Sequence, residues 1–241
     1  MIKQVQTPSL FNRILAQKPF FNVCMQASYQ LYNSHPLLAS FYTIDKTAAM
    51  SVTGHSALLC GSVKCKEELA SFLNFCGVTR IKTDGYIPNG FAATGISLML
   101  YSGGEPPSLN GGTLCEEPDL REVAKMLCNT GSEIGEDNFY SDACMRRVRG
   151  MADVLAIKEN GLLCSTAGVY AVSEQEAYIA AVMTKHECRG MGYASYLVAK
   201  LAQKYAEKRV ILVCDADMCG FYEKLGFKEE KRLLSAKKIV L

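Results

Sequence analysis

Apolar residues recur along the second half of the chain in helical and strand-like rhythms, and these rhythms sketch its elements. Leu120, Val123, Ala124 and Leu127 share one helical face, and Pro118-Asp119 ahead of them makes a suitable helix start. An irregular helical region is expected around Tyr140 to Arg149. Three strand-like runs follow: Ala152 to Lys158, Leu162 to Val172 and Ala177 to Thr184. Glu159-Asn160-Gly161 is a tight-turn signal between the first two, and Ser173 to Glu176 separates the next pair, so the pattern predicts an antiparallel meander. A long helix over Tyr193 to Lys208 then carries apolar residues at 194, 197, 198, 201, 202 and 205. Val210 to Cys214 is apolar throughout, as in a strand covered on both faces. A short helix closes on Lys224-Leu225-Gly226, with a glycine of the helix-terminating kind, and a final strand or pair of strands spans Phe227 to Leu241.

The first half repeats a fainter version of this order. Strand-like runs at Ala39 to Ile44, Ala48 to Val52 and His55 to Leu59 precede a helix over Lys64 to Cys76. A strand at Thr79 to Thr83 and an apolar run from Ala92 to Tyr101 follow. The correspondence points to an internal duplication. Between the halves, Tyr101 to Thr113 concentrates glycine, proline and polar residues, which neither helix nor strand tolerates. The expected division is therefore a domain over residues 1–110 and a second over 114–241, both mixed α/β layers.

Composition narrows the function classes. Of 241 residues, 49% are hydrophobic and 21% charged, and 26 Lys and Arg nearly balance 24 Asp and Glu, so no basic field suggests nucleic acid. The N-terminus lacks the apolar core of a signal peptide, and no run approaches the ~18 apolar residues of a membrane span, so a cytoplasmic protein without a membrane partner is expected. Eleven cysteines lie mostly in apolar runs and read as reduced core residues. No C-x-x-C pair occurs and His35, His55 and His186 show no ligand spacing, so no metal is expected.

Chemistry concentrates between the third strand of the meander and the long helix, in Arg189-Gly190-Met191-Gly192-Tyr193-Ala194. A strand that ends in a glycine-rich turn and opens a helix gathers unpaired backbone N–H groups and the positive end of a helix dipole at one point, which suits a pyrophosphate. Gly190 and Gly192 let the backbone lie close to phosphate oxygens, Ala194 keeps the helix start narrow, and Arg189 can add a charge-assisted contact. Glycines at a helix start also occur for packing alone. A dinucleotide fold would place them after the first strand of a βαβ unit, with an acidic residue about 20 positions on.

Arg189-x-x-Gly192-x-Ala194 resembles the acetyl-CoA signature of the GNAT superfamily, and Val182-x-Thr184 and Tyr193-Ala194-Ser195 extend the likeness. Phe221-Tyr222-Glu223-Lys224-Leu225-Gly226-Phe227 is similar to a second segment of that family. The resemblance covers residues 115 to 241 and implies a GNAT-type acyl-CoA N-acyltransferase fold, with a degenerate copy suspected in the first half. Relatives often carry proline where Lys185 or His186 stands, and Asp215 and Met218 replace a common Asn and Ala.

What the resemblance implies is acetyl-CoA as cosubstrate, with its pantetheine arm in a gap between Ala180 to Thr184 and Val210 to Cys214. Val182, Met183, Thr184, Arg189, Gly190, Met191, Gly192, Tyr193, Ala194 and Tyr222 are then the cofactor-binding residues. An amine, on a small molecule or a peptide, attacks the thioester directly; backbone N–H near Val182 holds the oxyanion and Tyr222 protonates the departing thiolate. Tyr222 can equally be an aromatic packed beside Phe221 and Phe227. Glu176 is the candidate base, with a solvated turn carboxylate as the plainer reading, and His186 could polarise the site. Cys188 and Cys214 are read as packing rather than acyl carriers. Asp84, Tyr86 and Asn89 fall in a loop with nothing to distinguish them from solvated residues. A non-catalytic CoA-binding regulatory module, a dimerising structural protein, and an enzyme for longer acyl chains are the alternatives; a homodimer stays open.

Overall fold

The structure is a computed structural model that describes residues 1–129 and 135–239. The chain divides into two compact units, and the division is not a single cut. One unit holds Met1–Leu98, Val213–Cys219 and Glu229–Leu241; the other holds Met99–Leu212 and Gly220–Lys228.

The first unit opens with β1 (Ile2–Gln4), α1 (Pro8–Leu15) and α2 (Phe21–Tyr32). Pro8 occupies the first turn of α1, where its missing N–H costs nothing. Next come β2 (Ser40–Ile44), β3 (Ala48–Thr53) and β4 (Ser56–Gly61), an antiparallel run in which Ile44 faces Ala48 and Val52 faces Ala57. α3 (Lys66–Phe75) crosses to β5 (Arg80–Thr83), which pairs parallel with β4, and β6 (Phe91–Tyr101) follows. Ile44, Met50, Leu59, Leu69, Leu73 and Ile81 are buried together as this unit's core. Asp84 is no solvated loop residue: its carboxylate accepts from Gly61 N at 2.9 Å, from Lys18 at 2.7 Å and from Lys231 at 3.2 Å.

The second unit adds β7 (Thr113–Cys115), α4 (Leu120–Cys128) and α5 (Glu136–Val148). Asp119 caps α4 by accepting from Arg121 N at 2.7 Å. α5 is a regular helix that begins before Tyr140, where the sequence suggested only an irregular region. The meander is present as β8 (Asp153–Glu159), β9 (Leu162–Val172) and β10 (Glu176–Thr184), antiparallel throughout, with β7 added beside β8. Asn160 and Gly161 both take positive φ, 50° and 79°, as a two-residue hairpin turn requires. α6 (Tyr193–Lys204) leads to β11 (Arg209–Asp215), which joins β10 in parallel, and α7 (Cys219–Glu223) follows. α6 stops four residues short of the sequence expectation, because Tyr205 to Lys208 form a turn.

β12 (Phe227–Lys238) closes the chain, and Leu234 to Lys237 return to pair antiparallel with β5 of the first unit; Val240 and Leu241 lie outside the described residues. In the second unit Val154 and Ala156 pack with Leu120, Val123 and Met126 of α4. Leu155 and Ile157, one residue out of phase, face the other side of the sheet, against which α6 packs. Tyr193, Leu197, Val198 and Leu201 of α6 are buried, at about 1.5–3 kcal/mol of apolar burial each. Among the described residues no helix is long and apolar enough to cross a membrane.

Candidate functional site

The strand that leads into the glycine-rich turn is broken in register. Ala180 of β10 faces Gly168 of β9, yet Met183 faces Thr166, so Ala181 and Val182 together oppose Ala167. This is a β-bulge, and Ala181 takes φ 52°, a left-handed conformation that costs an alanine about 1–2 kcal/mol. A bulge leaves one strand residue outside the regular ladder and turns the strand locally. The ladder to β11 ends earlier still: its pairs run from Glu176–Arg209 to Ile179–Leu212. Past Ile179, β10 is held by β9, where Ser165 Oγ donates to Met183 O at 3.0 Å and meets Thr184 Oγ1 at 2.8 Å.

Beyond Thr184 a short 3-10 turn, His186–Cys188, carries the chain to the glycines. Gly190 and Gly192 have φ 81° and 77°, which a residue with a Cβ adopts only under strain. A Cβ on either would meet no atom within 4 Å, so the space above both glycines is open. Gly192 is the N-cap of α6 and no side chain caps that helix, so its first-turn amides are unclaimed by a capping group. Met191 is half exposed, and Arg189 is exposed with Nε 3.5 Å from Thr184 O. Open space, a helix N-terminus without a side-chain cap and a nearby guanidinium are features that suit an anion.

Tyr193 belongs to the turn only through its backbone. Its side chain is buried, and its hydroxyl donates to a carboxylate oxygen of Glu159, which pushes the phenol up to about 12. Ala194, half buried in the first turn of α6, leaves the helix mouth unobstructed.

Tyr222 lies in α7 with its ring packed edge-on against Phe221 at 5.0 Å and Phe227 at 6.0 Å between centroids, so both readings of it, acid and packing aromatic, keep a footing. Its position is set by Gly226, whose φ is 84° and where a Cβ would fall 1.9 Å from Gly103 O. Ser102 N and Oγ both donate to the Gly226 carbonyl, at 2.8 Å and 2.9 Å. Glu176 is not a solvated turn carboxylate: it is the first residue of β10 and only 3% exposed. Six positions separate it from Val182, up to about 20 Å of extended strand. His186 is exposed, and burial together with Cys164 pushes the Cys188 thiol up to about 11.

The sequence pattern reads Glu159 as a turn residue and Cys188 as packing, does not single out Cys164, and does not bring the three together. Glu159, Cys164 and Cys188 converge from β8, β9 and the 3-10 turn. An open pocket of about 430 Å³ is lined by Gly112, Thr113, Lys158, Glu159 and Asn160. No local spacing announces this convergence, because five and then 24 positions separate its members.

Residues 122–227 match the model of the acetyltransferase (GNAT) family. Among solved structures, a tandem GNAT protein from the clavulanic acid biosynthesis pathway is similar at 14% identity and TM-score 0.63, covering 98% of each chain. A GCN5-related N-acetyltransferase-like protein from Streptococcus suis 89/1591 aligns at 14% identity and TM-score 0.57, over 93% of this chain and 95% of that one. An acetyltransferase from the GNAT family of Colwellia psychrerythraea gives 12% identity and TM-score 0.55, over 99% and 100%. At these identities the likeness is one of fold, and the expected tandem mixed α/β architecture is the one found. No curated protein matches the chain.

Proposed function

Residues 122–227 of this chain form a domain of the acetyltransferase (GNAT) family, and on that footing we propose that the protein transfers the acetyl group of acetyl-CoA directly to a primary amine. The observation that carries the proposal is the uncapped start of α6 beneath the open space at Gly190 and Gly192. A diphosphate there would accept from first-turn amides, with Arg189 alongside and the helix dipole adding favourable charge. The pantetheine arm would run along Val182, Met183 and Thr184, where β10 has left its ladder with β11.

The reaction needs three things from the chain. The amine must be neutral to attack, so a base takes its proton, and Glu176 is the proposed carboxylate, acting through water given its distance along β10. As nitrogen bonds to the thioester carbon, charge gathers on the carbonyl oxygen, and the amide of Val182, within the bulge, is the proposed donor. Collapse of the tetrahedral species breaks the C–S bond, and Tyr222 gives its proton to the departing thiolate, regaining one from solvent. The acceptor, on a small molecule or a peptide, is left unnamed by the fold, since acceptor loops vary freely around one cofactor site.

The test is a panel of primary amines assayed for free CoA release with wild type and Tyr222→Phe. Turnover with at least one amine, lowered roughly ten- to ten-thousand-fold by the substitution while acetyl-CoA still binds, supports the assignment. The packing of Tyr222 between Phe221 and Phe227 favours one rival reading, a CoA-binding module without turnover. That reading gains if acetyl-CoA binds, no amine releases CoA, and Tyr222→Phe changes nothing.

A further inference from the structure

Glu159, the last residue of β8, Cys164 in β9 and Cys188 in the 3-10 turn each offer one ligand atom, and those atoms all lie within 4.8 Å of one another. Cys164 Sγ is 3.9 Å from Glu159 Oε2. In tetrahedral zinc, with Zn–S near 2.3 Å, sulfurs stand about 3.8 Å apart. The three donors therefore need to close by no more than about 1.3 Å to share an ion.

Further features suit a metal centre. Both cysteines are buried, Cys164 at 4% and Cys188 at 7% exposure, so the donors are shielded from competing water. The Tyr193 hydroxyl holds the Glu159 carboxylate from behind, which is how outer partners orient a ligating carboxylate. Lys185 N donates to Cys164 O at 2.9 Å and Cys188 N to Lys185 O at 3.0 Å, so backbone bonds fix the spacing of the two thiols. An open pocket lined by Gly112, Thr113, Lys158, Glu159 and Asn160 lies on the Glu159 side of the cluster.

We propose that Glu159, Cys164 and Cys188 form a binding site for a thiophilic divalent cation of the zinc class. Two thiolates and a carboxylate select a soft or borderline ion over magnesium or calcium. Binding forms two metal–sulfur bonds and one metal–oxygen bond, and the two thiol protons pass to solvent. The ion would clamp the segment before Arg189 to β8 and β9.

Cobalt(II) is the probe, titrated into the reduced full-length protein without acetyl-CoA, so that failure here leaves the acetyltransferase reading untouched. Expected are a sulfur-to-cobalt charge-transfer band saturating at one equivalent, displacement of that band by zinc, and a thermal midpoint raised by zinc. Cys164→Ser and Cys188→Ser should each weaken cobalt about tenfold or more, whereas Cys65→Ser, at an exposed thiol, should not. Absence of the band in folded wild type, or an equal band in both serine variants, overturns the proposal. Should the serine variants misfold by circular dichroism, Glu159→Gln decides: its visible cobalt spectrum must change, and an unchanged spectrum overturns the site.

Discussion

The hydroxyl of Tyr193, the first residue of α6, donates to the carboxylate of Glu159 at the end of β8, 34 positions earlier. One bond thus ties the mouth of the helix to the hairpin below it. It makes the glycine turn part of a fixed frame rather than a free loop. Tyr193→Phe removes the donor and leaves the ring, so the loss should be that of one hydrogen bond to a charged group, about 1.5–3 kcal/mol. Urea denaturation of the two proteins measures it. A change below a few tenths would mean that solvent replaces the phenol without penalty.

Tyr170 presents the opposite case. Its hydroxyl is buried in the second unit's core with no hydrogen-bond partner among the described residues, its ring lies 5.6 Å from that of Phe139, and Ala180, Ala181 and Met183 pack against the same cluster. A buried unsatisfied hydroxyl costs about 1–3 kcal/mol, so Tyr170→Phe should stabilise the protein by about 1 kcal/mol or more. Differential scanning calorimetry reads this as a rise in Tm. A fall in Tm would show that the hydroxyl has a partner in solution.

Alkali should loosen the first unit. Burial is the main force that pushes the thiols of Cys60 and Cys214 up to about 12. Unfolded, both titrate near the ordinary thiol value of about 8.5. Between these values the native state binds more protons than the unfolded chain, so stability falls as pH rises. The contribution is whole below about pH 8.5 and is lost progressively toward pH 12. Denaturation midpoints from pH 8 to 11 should decline, and Cys60→Ala should flatten the decline. A Cys60→Ala profile parallel to wild type would remove the thiol as its cause.

Much of this structure could be read in the chain. Asp119 ahead of Leu120, Asn160-Gly161 between two apolar runs and Gly226 after Leu225 each act locally, so their effects appear where their letters stand. α1 and α2 went unread, although Pro8 after Thr7 was a usable start signal. α2 has no side-chain cap and begins after Phe20 at φ 70°, a conformation that no local rule assigns to phenylalanine. The return of β12 to β5, the bulge at Ala181 and the meeting of Glu159, Cys164 and Cys188 are products of tertiary pairing. Glu176 shows the same limit, since its letters read as a turn and the fold buries it at the head of a strand.

The most direct test is isothermal titration calorimetry of acetyl-CoA with the full-length protein and with Gly192→Ala. A Cβ at position 192 meets no protein atom, so the substitution costs only about 1–2 kcal/mol of backbone strain, while it places a methyl group where phosphate oxygens would approach. One equivalent should bind to wild type, and Gly192→Ala, folded by circular dichroism, should bind about tenfold or more weakly. Folded wild type that gives no heat with acetyl-CoA or any other CoA thioester would contradict a diphosphate cradle at this turn, and the proposed activity with it.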